Sequence, residues 1–93
     1  MMADFNDYIE SAATKYGVPP AIVRSVVDVE SKGNPRALGK SGDVGLMQLT
    51  PIIYKSDKYR ADPWNPEQNI NSGVKFLGDL YKQYGNWKDA LSH

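Results

Sequence analysis

The chain has 93 residues, no cysteine, and eleven Lys and Arg against eleven Asp and Glu, so its formal net charge is zero. That balance argues against a basic nucleic-acid binder and against an acidic solvating tail. The missing cysteines exclude disulfides and thiolate zinc sites. With 41% hydrophobic and 24% charged residues, the composition is that of one small globular domain covering 1–93. The single histidine is the last residue, His93, which leaves no basis for a histidine triad or metal cluster.

The opening Met1-Met2-Ala3-Asp4-Phe5-Asn6-Asp7 has neither a positive n-region nor an apolar h-region, so it does not read as a signal peptide. No window approaches a membrane span. The expectation is either export by another route or a domain cut from a larger protein. Phe5, Ile9, Ala12, Ala13 and Tyr16 then recur at helical spacing behind Asp4, a suitable N-cap, and Gly17 ends the helix. Pro19-Pro20 start a second helix, where a missing N–H does no harm. Its Ile22, Val23, Val26, Val27 and Val29 predict the core helix. β-branched residues disfavour helix by a few tenths of a kcal/mol each, so burial must hold it. Gly33 and Pro35 stop it.

Residues 36–44 read as a polar, glycine-containing loop, and 46–49 as a short apolar turn. Thr50 then caps a segment running from Pro51 towards Tyr59, and 60–64 is again loop. Asn65-Pro66-Glu67 opens the longest helix with a cap, a proline at the first position and an acid favoured by the dipole. Ile70, Val74, Leu77, Leu80, Tyr81 and Tyr84 form its expected buried stripe, and Gly85 ends it. Asn86 can cap a last short helix from Trp87. No alternating strand pattern of useful length occurs, so the class is all-α, with room for a small irregular or β-like loop near 39–44.

Two stretches carry the chemistry. Glu30 sits in the last turn of an apolar helix, where the dipole's negative end and an expected desolvation beside Val26, Val27 and Val29 both oppose ionisation. A carboxyl held in that way suits general acid catalysis on a glycosidic bond. Gln48 lies inside the apolar run Leu46-Met47-Gln48-Leu49, where an amide is costly unless it finds partners. A substrate amide or hydroxyl is one candidate.

Four stretches in order resemble the catalytic domain of soluble-lytic-transglycosylase-type enzymes, relatives of goose-type lysozyme. They are Tyr16-Gly17-Val18-Pro19-Pro20; Glu30-Ser31 with Gly33-Asn34-Pro35; Gly42-Asp43-Val44-Gly45-Leu46-Met47-Gln48-Leu49-Thr50-Pro51; and Asn65-Pro66-Glu67-Gln68-Asn69-Ile70 with Gly73 and Leu77. The resemblance implies a lysozyme-like helical fold and cleavage of the β-1,4 bond between N-acetylmuramic acid and N-acetylglucosamine in peptidoglycan. Glu30 would be the sole acid/base, protonating the leaving oxygen and then activating the muramyl 6-hydroxyl to close a 1,6-anhydro ring. The substrate's acetamido group would stabilise the oxocarbenium-like centre. Ser31 would orient the carboxyl or contact sugar, Gln48 and Met47 would wall the groove, and Asn69 and Ile70 would buttress it. The resemblance implies no cofactor and no metal, and peptidoglycan glycan strands as the partner. It places the activity at the cell wall, periplasmic, extracellular or carried by a phage virion.

Two departures from the family stand out. Asp43 occupies a position where a small apolar residue is frequent. It reads either as a loop Asp favouring the turn or as a second carboxylate, which at ~6.5–9.5 Å from Glu30 would activate water for a lysozyme-like inverting hydrolase. Asp28 is the weaker candidate, since two residues along a helix point to another face. Family members also continue past a segment like Ala90-Leu91-Ser92-His93 into Tyr-Asn-Ala-Gly and a further helix. The expectation is a C-terminally truncated domain of low activity whose uncovered apolar surface drives self-association, or one completed by a partner chain. A non-catalytic glycan-binding or structural fragment is the third reading. Trp64, Trp87, Tyr54 and Tyr59 could stack on sugars, but aromatics at such spacings usually pack in the core or at its rim.

Overall fold

The computed structural model describes residues 5–92, so the expected Asp4 cap and the terminal His93 lie outside the described residues. Five helices follow in order: α1 Asn6–Tyr16, α2 Pro20–Ser31, α3 Pro51–Tyr54, α4 Pro66–Tyr84 and α5 Trp87–Leu91. Among the described residues there is no strand, only isolated antiparallel bridges pairing Leu38 with Val44 and Val44 with Leu49. The domain is all-α, and the β-like loop sits where the glycines place it.

α4 is the axis of the fold. The Asn65 side chain accepts the Gln68 N–H, Pro66 occupies the first turn, and Gly85 closes the helix in the left-handed conformation at φ 78°. α1 packs along α4, α5 folds back onto it, and α2 lies against α1. Ile9, Val23, Val27, Leu46, Ile70 and Val74 meet between them, each with no exposed surface. Full burial of such side chains stabilises by about 1.5–3 kcal/mol apiece, far more than the helix propensity lost at each valine. Val23 and Val27 are four residues apart and point the same way into this core.

Three local expectations need correction. Val29 is 79% exposed, because it lies on the far side of α2 from Val27. Tyr81, expected in the buried stripe, is 39% exposed. The helix starting at Pro51 ends at Tyr54 rather than running towards Tyr59. Ser56 explains that stop: its Oγ donates to Ile53 O at 2.7 Å and accepts the Tyr59 N–H at 3.1 Å. A hydroxyl serving both groups gives the backbone an alternative to the helix.

Tyr59, delivered by that turn, ties the loop to α4. Its hydroxyl donates to Asp79 Oδ2 at 2.6 Å, and its ring stands edge-on to Phe76 at 5.2 Å. Burial first, then the hydrogen bond and charge of Asp79, push Tyr59 from 10.0 up to about 12. The Tyr59 hydrogen bond, aided by Lys58, holds Asp79 below its ordinary 3.8. The Asp79 contribution to stability is therefore present above pH 3.8 and lost as pH falls through its lower folded value. The Tyr59 contribution is complete below pH 10.0 and lost as pH rises through about 12. Tyr59→Phe is expected to cost about 1 kcal/mol at neutral pH. Urea unfolding across the pH range should show the gap to wild type closing at both extremes.

Candidate active-site groove

The turn Gly45-Leu46-Met47-Gln48 is held from below by one side chain of α4. Asn69 has no exposed surface, and its Oδ1 accepts the Met47 N–H at 2.8 Å. Its Nδ2 donates to Val44 O at 2.9 Å and to Pro63 O at 2.8 Å. All the polar capacity this buried amide needs is met by backbone, so the cost of burying it is offset. Gly45 permits the close approach: it sits at φ 81°, and a Cβ there would lie 2.5 Å from Pro63 O.

Gln48 follows in the left-handed region at φ 50°, one of two non-glycine residues to do so among the described residues. Such a conformation costs about 1–2 kcal/mol. It is held by the side chain itself, whose Nε2 donates to Ala37 O at 3.1 Å and Gly45 O at 3.0 Å. The partner sought for this amide is thus found in part within the chain, where a substrate group had been one candidate. The NH₂ end is committed within the chain, and only Oε1 remains for a substrate donor. Oε1 faces Gly39, where a Cβ would stand 2.6 Å away, and the Asp43 carboxylate borders the same glycine, its Oδ2 at 3.6 Å from that point. Asp43 is half-buried rather than a free loop acid, and its Oδ1 is buried without a hydrogen-bond partner.

A groove of about 420 Å³ opens above this turn. Glu30, Asp43, Met47 and Gln48 all line it, so four of the five site residues expected from sequence come together. Met47 forms part of the floor, beside Gly73, where a Cβ would meet Met47 Sδ at 2.5 Å and push the thioether aside. Of the residues around it, Glu30 and Val29 come from the end of α2, and Gln48, Leu49 and Thr50 from the turn and the residues just after it. The volume is that of a small-ligand site, and the lining combines apolar side chains with the polar groups of Glu30, Asp43 and Gln48.

Two expectations about the end of α2 are corrected. Glu30 is exposed, so the half-buried setting anticipated for the carboxyl is absent. Ser31 is not among the groove-lining residues. Its Oγ donates to Val27 O at 3.1 Å and accepts the Gly33 N–H at 3.2 Å, closing the end of α2. No hydrogen bond joins it to the Glu30 carboxylate among the described residues. The aromatics Trp64, Trp87, Tyr54 and Tyr59 do not line the groove either. Trp87 instead stacks on Tyr81 at 4.4 Å.

Sequence reasoning missed the far end of the groove. Phe76, Leu77, Leu80, Ala90 and Leu91 line it. Gly73, Phe76, Leu77 and Leu80 follow i, i+3, i+4, i+7 spacing, a signal for one helix face. A stripe of that kind cannot by itself distinguish core from groove.

The helical architecture and this site define a lysozyme-like fold of the lytic transglycosylase type. The Transglycosylase SLT domain matches residues 7–92, and the chain belongs to that family. Over 81 residues it is 40% identical to the endo-type membrane-bound lytic murein transglycosylase A of Klebsiella pneumoniae, covering 76% of this chain and 40% of that protein. It is 32% identical over 93 residues to the membrane-bound lytic murein transglycosylase E of Buchnera aphidicola, covering 89% of this chain and 42% of the relative. The chain thus spans about two fifths of the length of these relatives. Among solved structures it superposes on the 70 kDa soluble lytic transglycosylase of Escherichia coli with a TM-score of 0.77 at 28% identity, over 88% of this chain and 15% of that one. The same 70 kDa enzyme in complex with bulgecin A superposes with a TM-score of 0.75. No helix among the described residues is long and apolar enough to cross a membrane.

The Asn69 clamp generates a direct prediction. Asn69→Ala leaves one buried N–H and two carbonyls without their partner, so a loss of about 3 kcal/mol or more is expected. Thermal unfolding should register this as a fall in Tm of roughly 12 °C or more.

Proposed function

We propose that the domain is a peptidoglycan lytic transglycosylase that cleaves the β-1,4 bond between N-acetylmuramic acid and N-acetylglucosamine, with Glu30 as acid/base. The observation that carries this reading is the meeting of Glu30, from the end of α2, with Met47 and Gln48, from the clamped turn, on one groove. Family membership supports the reaction class, and the relatives named as lytic murein transglycosylases support the substrate and its place in the cell wall.

Glycan in the groove would lie over Met47 and Gly73, with an acetamido N–H or a hydroxyl donating to Gln48 Oε1 or to the Asp43 carboxylate. Gln48 Oε1 and the Asp43 carboxylate are acceptors that border the same residue, Gly39, so a donor between them would relieve an otherwise unfavourable pairing. A sugar seated there would also remove water from Glu30, favouring its neutral, proton-donating form. Glu30 then transfers its proton to the glycosidic oxygen as that bond breaks. The acetamido oxygen of the muramyl residue stabilises the cationic centre. The Glu30 carboxylate next takes the proton of the 6-hydroxyl, whose oxygen bonds to C1 and closes the 1,6-anhydro ring. No water is consumed.

Glu30 is exposed, so Glu30→Gln should leave stability within about 0.5 kcal/mol of wild type. It should lower cleavage of purified peptidoglycan by roughly 10²–10⁴-fold. Unchanged turnover in the variant would remove Glu30 from the chemistry.

Asp43 supports a second reading, because it lines the same groove with one buried, unpartnered oxygen. As a base it would activate water, and each product would carry the added mass of that water. Mass spectrometry of the released muropeptides decides: the anhydro product is expected, and retention of more than residual activity in Asp43→Asn agrees with it. Hydrated products, abolished by Asp43→Asn, would favour the hydrolase.

A further inference from the structure

α4 carries a second recess on its opposite side. Gln68, Asn71, Ser72 and Lys75 follow one another at helical spacing on the face turned away from Gly73, Phe76 and Leu80. With Lys58 and Arg60 from the loop after α3, this face borders a cavity of about 190 Å³. Three cations line it, and among the described residues no carboxylate does. In a chain with equal numbers of acidic and basic side chains, that segregation does not follow from composition.

The local geometry concentrates the charge. The Lys58 and Lys75 ammonium groups stand 5.6 and 5.7 Å from the centre of the same Tyr59 ring. Lys58 shares Asp79, at 3.4 Å, with the Tyr59 hydroxyl. Arg60 pairs with Asp57, but that carboxylate is fully exposed and neutralises little. Lys75 is half-buried and donates to Lys58 O at 2.9 Å, and no ion pair joins it to a carboxylate among the described residues. Three cationic side chains around one small recess repel one another, and a bound anion would relieve that repulsion. The cavity is too small for a drug-sized ligand, but it suits a single charged group. The Gln68 side chain is oriented for such a role, since its Oε1 is committed to the Asp62 N–H at 2.8 Å.

We propose that this recess binds an oxyanion, a carboxylate or phosphate group, independently of the glycan groove. Both groups offer the same chemistry, acceptor oxygens bearing negative charge, so two probes are compared. Backbone amide chemical shifts are followed by NMR while sodium phosphate, and separately sodium acetate, is titrated into the protein at constant ionic strength against a chloride control. Saturable shifts confined to residues 58–61 and 68–75 are expected with at least one anion, and the tighter of the two identifies the preferred group. Lys75→Gln should weaken that binding about tenfold, consistent with loss of one charge-assisted contact. Lys75→Arg should restore it, with thermal unfolding reporting that each variant is folded. Binding should persist in Glu30→Gln, so a failure of the catalytic assignment leaves this result interpretable. Shifts that fail to saturate with both anions, or that chloride reproduces, would overturn the proposal.

Discussion

One buried amide organises the molecule. Asn69 lies in the middle of the first half of α4 and bonds three backbone groups from two different loops. Those loops have little regular structure of their own: two isolated bridges and a four-residue helix cover the whole stretch from the end of α2 to the start of α4. Their backbone groups need partners once buried, and Asn69 supplies partners for three of them. The strained Gln48 and the groove-facing Met47 are both immediate dependants of that anchor.

The arrangement makes α4 a shared wall. One face packs Ile70 and Val74 into the core, a second lines the groove with Gly73 and Leu80, and a third bears the cationic recess. A nineteen-residue helix is long enough to serve all three because its ends are well specified, by Asn65 and Pro66 at one end and Gly85 at the other. The opposite groove wall is less deeply embedded. Glu30 rides on the last turn of α2, which Ser31 closes with its own hydroxyl, and no side chain bond restrains its carboxylate among the described residues. The site is thus rigid on the turn side and open on the carboxylate side.

The helices were legible in the sequence wherever their signals are local. Pro20, Asn65, Asn86, Gly17 and Gly85 act through backbone conformation or a bond within one turn, and each marks an observed helix end. The premature end of α3 depends on Ser56 choosing a backbone partner, which composition does not reveal. Glu30, Met47 and Gln48 stand out in the sequence because their motifs are dense, and Asp43 because it departs from the family pattern. Their common cavity depends on contacts between residues far apart in the chain. The role of Asn69 was visible only as a buttress; the bond it makes across 22 residues to Met47 is tertiary. The exposure of Val29 and Glu30 was misjudged because an apolar run implies burial on every side, while a helix buries only the side that meets a neighbour.

Hydrogen exchange of the Met47 amide tests the organising claim most directly, because that N–H bonds to Asn69 Oδ1 and to no backbone carbonyl among those observed. Exchange should be as slow as for core amides of α4 such as that of Val74, which would mean that the turn opens only with the domain as a whole. Exchange as fast as that of the open loop at Lys40 and Ser41 would contradict the account, since the turn would then be mobile and the groove not preformed.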